Sequence, residues 1–247
     1  MNRKILLLFL LPLITVVLFS SCRKWRCIEG DGYMSSENRY PGGFKGVIAK
    51  IDCEVFVVQD TVTYVIVEAD QELMPYIETA IEGRNFNLII DKNTKRCMRS
   101  KQPIYVEVHS PEIYSVELAG GGKITCDYIS QDRLRFVLNG SGNIDFYGID
   151  AGNIIAEVPG SGQIRLAGRN GQGIFEIIGS GQIHSIDLLQ DNCNATVSGS
   201  GDILVQVTDV LDAEISGSGN VVFYNVTPLK IYRKITGSGK VISSWTN

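Results

Sequence analysis

Apolar and polar positions alternate along the chain around a recurring glycine triplet. It appears as Gly120-Gly121-Gly122, Gly140-Ser141-Gly142, Gly160-Ser161-Gly162, Gly179-Ser180-Gly181, Gly199-Ser200-Gly201, Gly217-Ser218-Gly219 and Gly237-Ser238-Gly239. The spacings are 20, 20, 19, 20, 18 and 20 residues. After each triplet comes a polar residue (Lys123, Asn143, Gln163, Gln182, Asp202, Asn220, Lys240), then a β-branched aliphatic one (Ile124, Ile144, Ile164, Ile183, Ile203, Val221, Val241). Two residues before each triplet stand Leu118, Leu138, Val158, Ile177, Val197, Ile215 and Ile235. Four before stand Val116, Phe136, Ala156, Phe175, Ala195, Ala213 and Arg233, of which only the last is not apolar. Alternation with period two on both sides of a turn predicts two strands, each with one face in and one out. A unit of about twenty residues, repeated position by position, predicts one coil of a β-solenoid. Like residues then stack about 4.8 Å apart. Each unit reads as strand, glycine turn, strand and a second connection, with glycine supplying positive φ at the sharp bend. An antiparallel sandwich or barrel with strands every ten residues or so is the competing arrangement.

Residues 44–119 are β-rich but less regular, with strands expected at Val47–Val58, Thr63–Val67, Phe86–Ile90 and Ile104–Val108. One short helical turn is expected over Gln71–Ile77. This part is expected to begin or cap the same solenoid. Ahead of it, residues 22–43 read as a tether and entry segment, and 120–247 as a seven-repeat β-helix. Residues 1–21 read as a secretory leader: Arg3 and Lys4, an apolar run Ile5–Phe19, then small residues before Cys22. Leu18-Phe19-Ser20-Ser21-Cys22 is similar to a bacterial lipobox, so Cys22 is the expected lipidation site; a cleaved leader with a soluble secreted chain is the plainer reading. Arg23, Lys24 and Arg26 would then lie against anionic headgroups.

Phe44-Lys45-Gly46-Val47, Val65 through Asp70, Leu73 through Thr79, Leu88-Ile89-Ile90 and the Gly-Ser-Gly-Asn-Ile repeats together resemble the bacterial "putative auto-transporter adhesin, head GIN domain" family. The resemblance covers roughly residues 44–245. It implies a right-handed parallel β-helix and an envelope location, and carries over no activity and no site residues. Gly121 departs from the usual serine, and Lys123 and Lys240 from the usual Asn, Gln or Asp.

Composition narrows the function further. A net charge of −4 offers no basic footprint for nucleic acid. Two histidines, His109 and His184, argue against a multi-histidine metal site. No GxxxxGK[ST] loop is present, and the period of twenty does not fit nine-residue calcium repeats. No cofactor or metal is expected. Six cysteines, less Cys22, leave an odd number, so at least one thiol is free or intermolecular. Cys126 and Cys193 face inward about three coils apart, roughly 14 Å, beyond disulfide reach. Cys27, Cys53 and Cys97 remain as candidates for a bridge.

The outward position after each repeated aliphatic residue reads Thr125, Asp145, Arg165, His184, Leu204, Val222, Ile242. Asp145, Arg165 and His184 would put an acid, a cation and a titratable base on successive coils. That is a weak candidate binding or catalytic set; a solvated polar stripe is the plainer account. Glu157 and Glu176 also fall on neighbouring coils. The triplet serines have no paired base. Leu204, Val222 and Ile242 form an apolar stripe, either buried beneath the terminal segment containing Trp245 or exposed for a partner or self-association. Tyr128, Tyr147 and Tyr224 either stack on sugars or cover coil edges. The leading reading is a non-enzymatic cell-envelope lipoprotein of the outer membrane, adhesin-like or a structural scaffold, held at the membrane by lipid on Cys22. Its expected partners are a glycan, an envelope protein or a second copy. The alternatives are a β-helical carbohydrate-active enzyme and an envelope assembly or stress factor.

Overall fold

The computed structural model describes residues 27–83 and 86–245. The leader, Cys22 and the basic cluster through Arg26 lie outside the described residues. The elements run β1 (Ile28–Glu29), β2 (Met34–Arg39), β3 (Gly46–Ala49), β4 (Glu54–Gln59), β5 (Tyr64–Asp70), a 3-10 turn (Met74–Tyr76), β6 (Ile77–Glu82) and β7 (Asn87–Lys92). Next come β8 (Met98–Arg99), β9 (Tyr105–Ser110), β10 (Ser115–Leu118), β11 (Lys123–Cys126), β12 (Ile129–Leu138), β13 (Asn143–Val158) and β14 (Gln163–Ile177). The chain closes with β15 (Gln182–Val197), β16 (Ile203–Ile215), β17 (Val221–Tyr224), β18 (Lys230–Ile235) and β19 (Val241–Ser244).

Successive coils pair in parallel, residue n with residue n+18 to n+20, as in Ile144↔Ile164 and Ile164↔Ile183. That register makes a solenoid and excludes an antiparallel sandwich. On one face the ladder runs β7, β3, β10, β12 and then the C-terminal halves of β13 to β16, ending on β18. On the other it runs β9, β4, β11, the N-terminal halves of β13 to β16, then β17 and β19. β3 and β4 pair directly with β10 and β11, so they lie in the same ladders as the repeats. Antiparallel strands close the solenoid's N-terminal end: β6 on β7, and β5 then β2 on β9.

The stacked aliphatics become a continuous internal column. Val67, Val106, Val55, Ile124, Ile144, Ile164, Ile183, Ile203 and Val221 are all buried and in register. A facing column alternates large and small, Phe136, Ala156, Phe175, Ala195, so that each ring finds room beside a methyl group.

One expectation is corrected. The triplet glycines do not supply positive φ; only Gly32, Gly42, Gly83 and Gly168 have it. They are glycine because coils approach backbone to backbone. A Cβ on Gly140 would lie 1.9 Å from the Gly120 carbonyl oxygen, and one on Gly201 1.8 Å from that of Gly181. The same closeness lets the Ser161 N–H reach the Gly140 carbonyl at 3.2 Å. Gly121 replaces the usual serine where its N–H meets Asp52 Oδ1 at 2.6 Å and a Cβ would sit 3.1 Å from that oxygen. In the middle coils the second connection is itself strand. β13, β14, β15 and β16 each run unbroken through it, and the bend shows as ladder irregularities, as between Phe146 and Ile149.

The entry segment is pinned rather than merely leading in. Cys27 and Cys97 form a disulfide, β1 pairs with β8, and the buried Asp70 carboxylate accepts from the Gly32 N–H (2.5 Å), the Lys101 N–H (2.9 Å) and the Ser100 hydroxyl. Burial alone would raise the Asp70 carboxyl, but these donors hold it below the usual carboxylate range. Cys53, Cys126 and Cys193 are free and buried.

Candidate binding face

Side chains leaving the outer surface of the β9–β4–β11 face fall into straight rows. One row reads Thr125, Asp145, Arg165, His184, Leu204, Val222, Ile242, in register from strand to strand. Asp145, Arg165 and His184 are thus brought together, but not as a solvated stripe. Asp145 is only 1% exposed, clasped by Lys123 Nζ at 3.0 Å and Arg165 Nη1 at 3.3 Å. The hydrogen bond that Lys123 donates to Asp145 raises the Lys123 ammonium pKa. This is a closed ion triad, its acid already satisfied, and a poor reactive centre. His184 beside it is half-buried. Glu157 and Glu176 are register neighbours, and Glu157 pairs with Arg135 at 2.7 Å.

Among the described residues, the terminal segment does not cover the apolar end of the row. β19 stays in the sheet, Trp245 is 66% exposed, Leu204 and Val222 are half-buried and Ile242 is exposed. Tyr128 and Tyr147 are exposed and Tyr224 is half-buried. The polar row beside it forms the expected ladder contacts: Gln163 Nε2 donates to Gln182 Oε1 at 2.6 Å, and Asn220 Nδ2 to Asp202 Oδ1 at 3.0 Å.

Extending both rows toward the N-terminal end reveals a site the repeats do not announce. Across β5, β9, β4 and β11 the polar row continues as Glu68, Tyr105, Glu54, Lys123 and the row of Thr125 as Ile66, Glu107, Phe56, Thr125. Acid and apolar side chains therefore alternate like a checkerboard. They line a depression of about 480 Å³ together with Val55 and Val106. Phe56 is 37% and Tyr105 42% exposed, so aromatic surface is open to solvent. Lys123, the one cation of the depression among the described residues, is committed to Asp145. Glu107 is held in place by His109, whose Nε2 lies 2.8 Å from Glu107 Oε1 and whose Nδ1 lies 3.0 Å from Asp60 Oδ2. Tyr64 stacks on the His109 ring at 4.0 Å. The His109 bond holds the Asp60 carboxyl below its ordinary range. Sequence reasoning passed over this site because its strands come from residues 54–68 and 105–107, outside the repeats. The available signal was the alternation Glu54-Val55-Phe56 and Tyr105-Val106-Glu107.

Comparison with known proteins agrees with this architecture. No curated protein matches the chain. A solved structure from Bacteroides fragilis NCTC 9343, described as a putative adhesin, superposes with a TM-score of 0.81 at 18% identity, covering 88% of this chain and all of that one. A protein of Parabacteroides distasonis ATCC 8503, described as a putative lipid binding protein, gives 0.74 at 22% identity, with coverage of 89% and 100%. A putative adhesin from Parabacteroides merdae ATCC 43184 gives 0.66 at 19% identity, with coverage of 88% and 98%. At these identities the likeness concerns the fold. The sequence-family match spans residues 43–226, and the chain belongs to the family described as "Putative auto-transporter adhesin, head GIN domain".

Proposed function

We propose that the chain is a non-enzymatic, adhesin-like binding scaffold of the cell envelope, anchored through lipid on Cys22, and that its ligand is a glycan bound at the Phe56–Tyr105 depression. The observation that carries this reading is the checkerboard of exposed aromatic rings and carboxylates on a rigid sheet. A pyranose ring presents apolar C–H faces and many hydroxyl donors. The faces suit Phe56 and Tyr105; the hydroxyls suit Glu54, Glu68 and Glu107, which as carboxylates only accept. The parallel ladder beneath fixes these groups, so little ordering entropy is lost on binding. Weak single contacts gain strength when several anchored chains meet one polymer. The family description supports the adhesin class and a cell-envelope or surface location, and the leader read from the sequence supports the same placement.

A glycan array with the full chain, followed by a reducing-end assay on every hit, tests the proposal. Hits lost in Phe56→Ala and Tyr105→Ala, with no new reducing ends, are expected. Release of reducing ends would replace the scaffold reading with that of a carbohydrate-active enzyme. Hits unaffected by both substitutions would remove the depression as the site.

A further inference from the structure

The two ends of the solenoid carry opposite charge on matching strands. Four of the 23 basic residues and none of the 27 acidic ones lie beyond Glu214, giving +4 there and −8 over the rest. The C-terminal edge of one face is β18, Lys230-Ile231-Tyr232-Arg233-Lys234-Ile235, exposed at every position except the half-buried Ile231. It pairs with β16 on one side, and no described strand pairs with its other side. The N-terminal edge of the same face is β6, Ile77-Glu78-Thr79-Ala80-Ile81-Glu82, paired only with β7. Neither Glu78 nor Glu82 forms an ion pair among the described residues; nor do Lys230 and Arg233, while Lys234 pairs with Glu214 of the neighbouring coil and would be shared with Glu78.

We infer that copies of this chain associate head to tail, β18 of one adding to β6 of the next. β18 runs parallel to the other coil strands of its face, whereas β6 runs antiparallel to them. Continuing the stack with a second copy therefore makes an antiparallel pair, in which the incoming β19 takes the place of β2, the strand that lies one step beyond β6 on the other face. With Lys230 opposite Glu82, Lys234 falls opposite Glu78 and Tyr232 opposite Ala80 on the outer side. On the inner side Ile231 meets Ile81, Ile235 meets Ile77 and Arg233 meets Thr79. Inward parity agrees on both strands, since Ile231 and Ile81 both pack against the core. Opposite charges directly across strands stabilise a pair and like charges oppose it, so β18 cannot pair with its own copy in the same way. Arg233 stands at the end of the column that runs through Phe175, Ala195 and Ala213. An inward charge there keeps the open end from sticking indiscriminately, and Thr79 opposite it carries a hydroxyl that Arg39 Nη1 donates to at 3.4 Å within one copy. Pairing replaces the bond from Arg39 Nη1 to the Ile77 carbonyl (2.8 Å). A contact between two different patches propagates into a filament. This surface is distinct from the glycan depression, and either proposal stands or falls without the other.

The test is sedimentation of the full chain, purified in mild detergent, at low and high salt. Oligomers that dissociate at high salt are expected. Lys230→Glu/Lys234→Glu and Glu78→Lys/Glu82→Lys should each be monomeric. Mixing the two should restore alternating filaments, because the acidic β18 of the first meets the basic β6 of the second and the basic β18 of the second meets the acidic β6 of the first, and all four changes in one polypeptide should restore the filament as well. That last variant separates loss of pairing from loss of folding, because only a folded chain reassociates. A monomer at all concentrations, association indifferent to the reversals, or no rescue on mixing would overturn the inference.

Discussion

Gly140 and Ser141 are neighbours in one corner, yet substituting them should have opposite consequences. Alanine at Gly140 drives a Cβ to within 1.9 Å of a backbone carbonyl oxygen, which no side-chain rearrangement relieves. A loss exceeding about 4 kcal/mol, or failure to fold, is expected for Gly140→Ala. Ser141 is exposed, and Ser141→Ala should stay within about 0.5 kcal/mol. Gly43, with nothing within 4 Å of its Cβ position, should tolerate alanine equally well. Chemical denaturation of the three variants settles the point; equal losses at Gly140 and Gly43 would mean that backbone approach does not explain the repeat. The presence of a glycine corner was legible from spacing alone. Its cause was not, because φ and intercoil distance leave the same residue in the sequence. Burial of Cys126 and Cys193 was legible from parity, and desolvation pushes the Cys53 and Cys126 thiols up to about 12. Alkylation at pH 8 should leave Cys53, Cys126 and Cys193 unmodified until the chain unfolds, whereas prompt labelling in the native state would contradict their burial.

Among the elements, the antiparallel cap was the part hardest to read. β2, β5 and β6 lack the period that exposes the coils, and nothing in a strand's own residues reports the direction of its neighbour. The Cys27–Cys97 pairing was likewise open, since the sequence offered three thiols and no distance between them. Closing a loop across 70 residues is worth roughly 4 kcal/mol of unfolded-state entropy. Cys97→Ser should therefore lower the unfolding midpoint measurably, and an unchanged midpoint would show that the entry segment is held by other means. Asp70 supplies a pH signature for the same region. Its folded pKa lies below the ordinary value of about 4, so its bonds stabilise fully above that pH and are lost as pH falls through the folded value. Thermal melts should show wild type well above Asp70→Asn at neutral pH, with the gap narrowing below about pH 4. A gap independent of pH would remove the carboxylate from the account.

Over the whole molecule, a solenoid distributes stability through neighbouring coils, so a core defect is felt locally and strongly. Phe175→Ala empties a column position flanked by Ala156 and Ala195, which have no side chain to fill it, and should cost about 3–5 kcal/mol. The same regularity makes the outer surface a set of straight rows, and the candidate site is where those rows change from polar amides to acids and aromatics. The repeats led sequence reasoning toward Asp145, Arg165 and His184, because like positions in neighbouring coils are easy to align. They could not lead it to Phe56 and Tyr105, which meet only through pairing between β4 and β9. The most direct measurement of the central claim is calorimetric titration of an array-selected glycan into the full chain and into Phe56→Ala/Tyr105→Ala. The account predicts saturable binding by the wild type, at least about tenfold weaker binding by the variant, and glycan recovered intact. Equal affinity in the two proteins would contradict it.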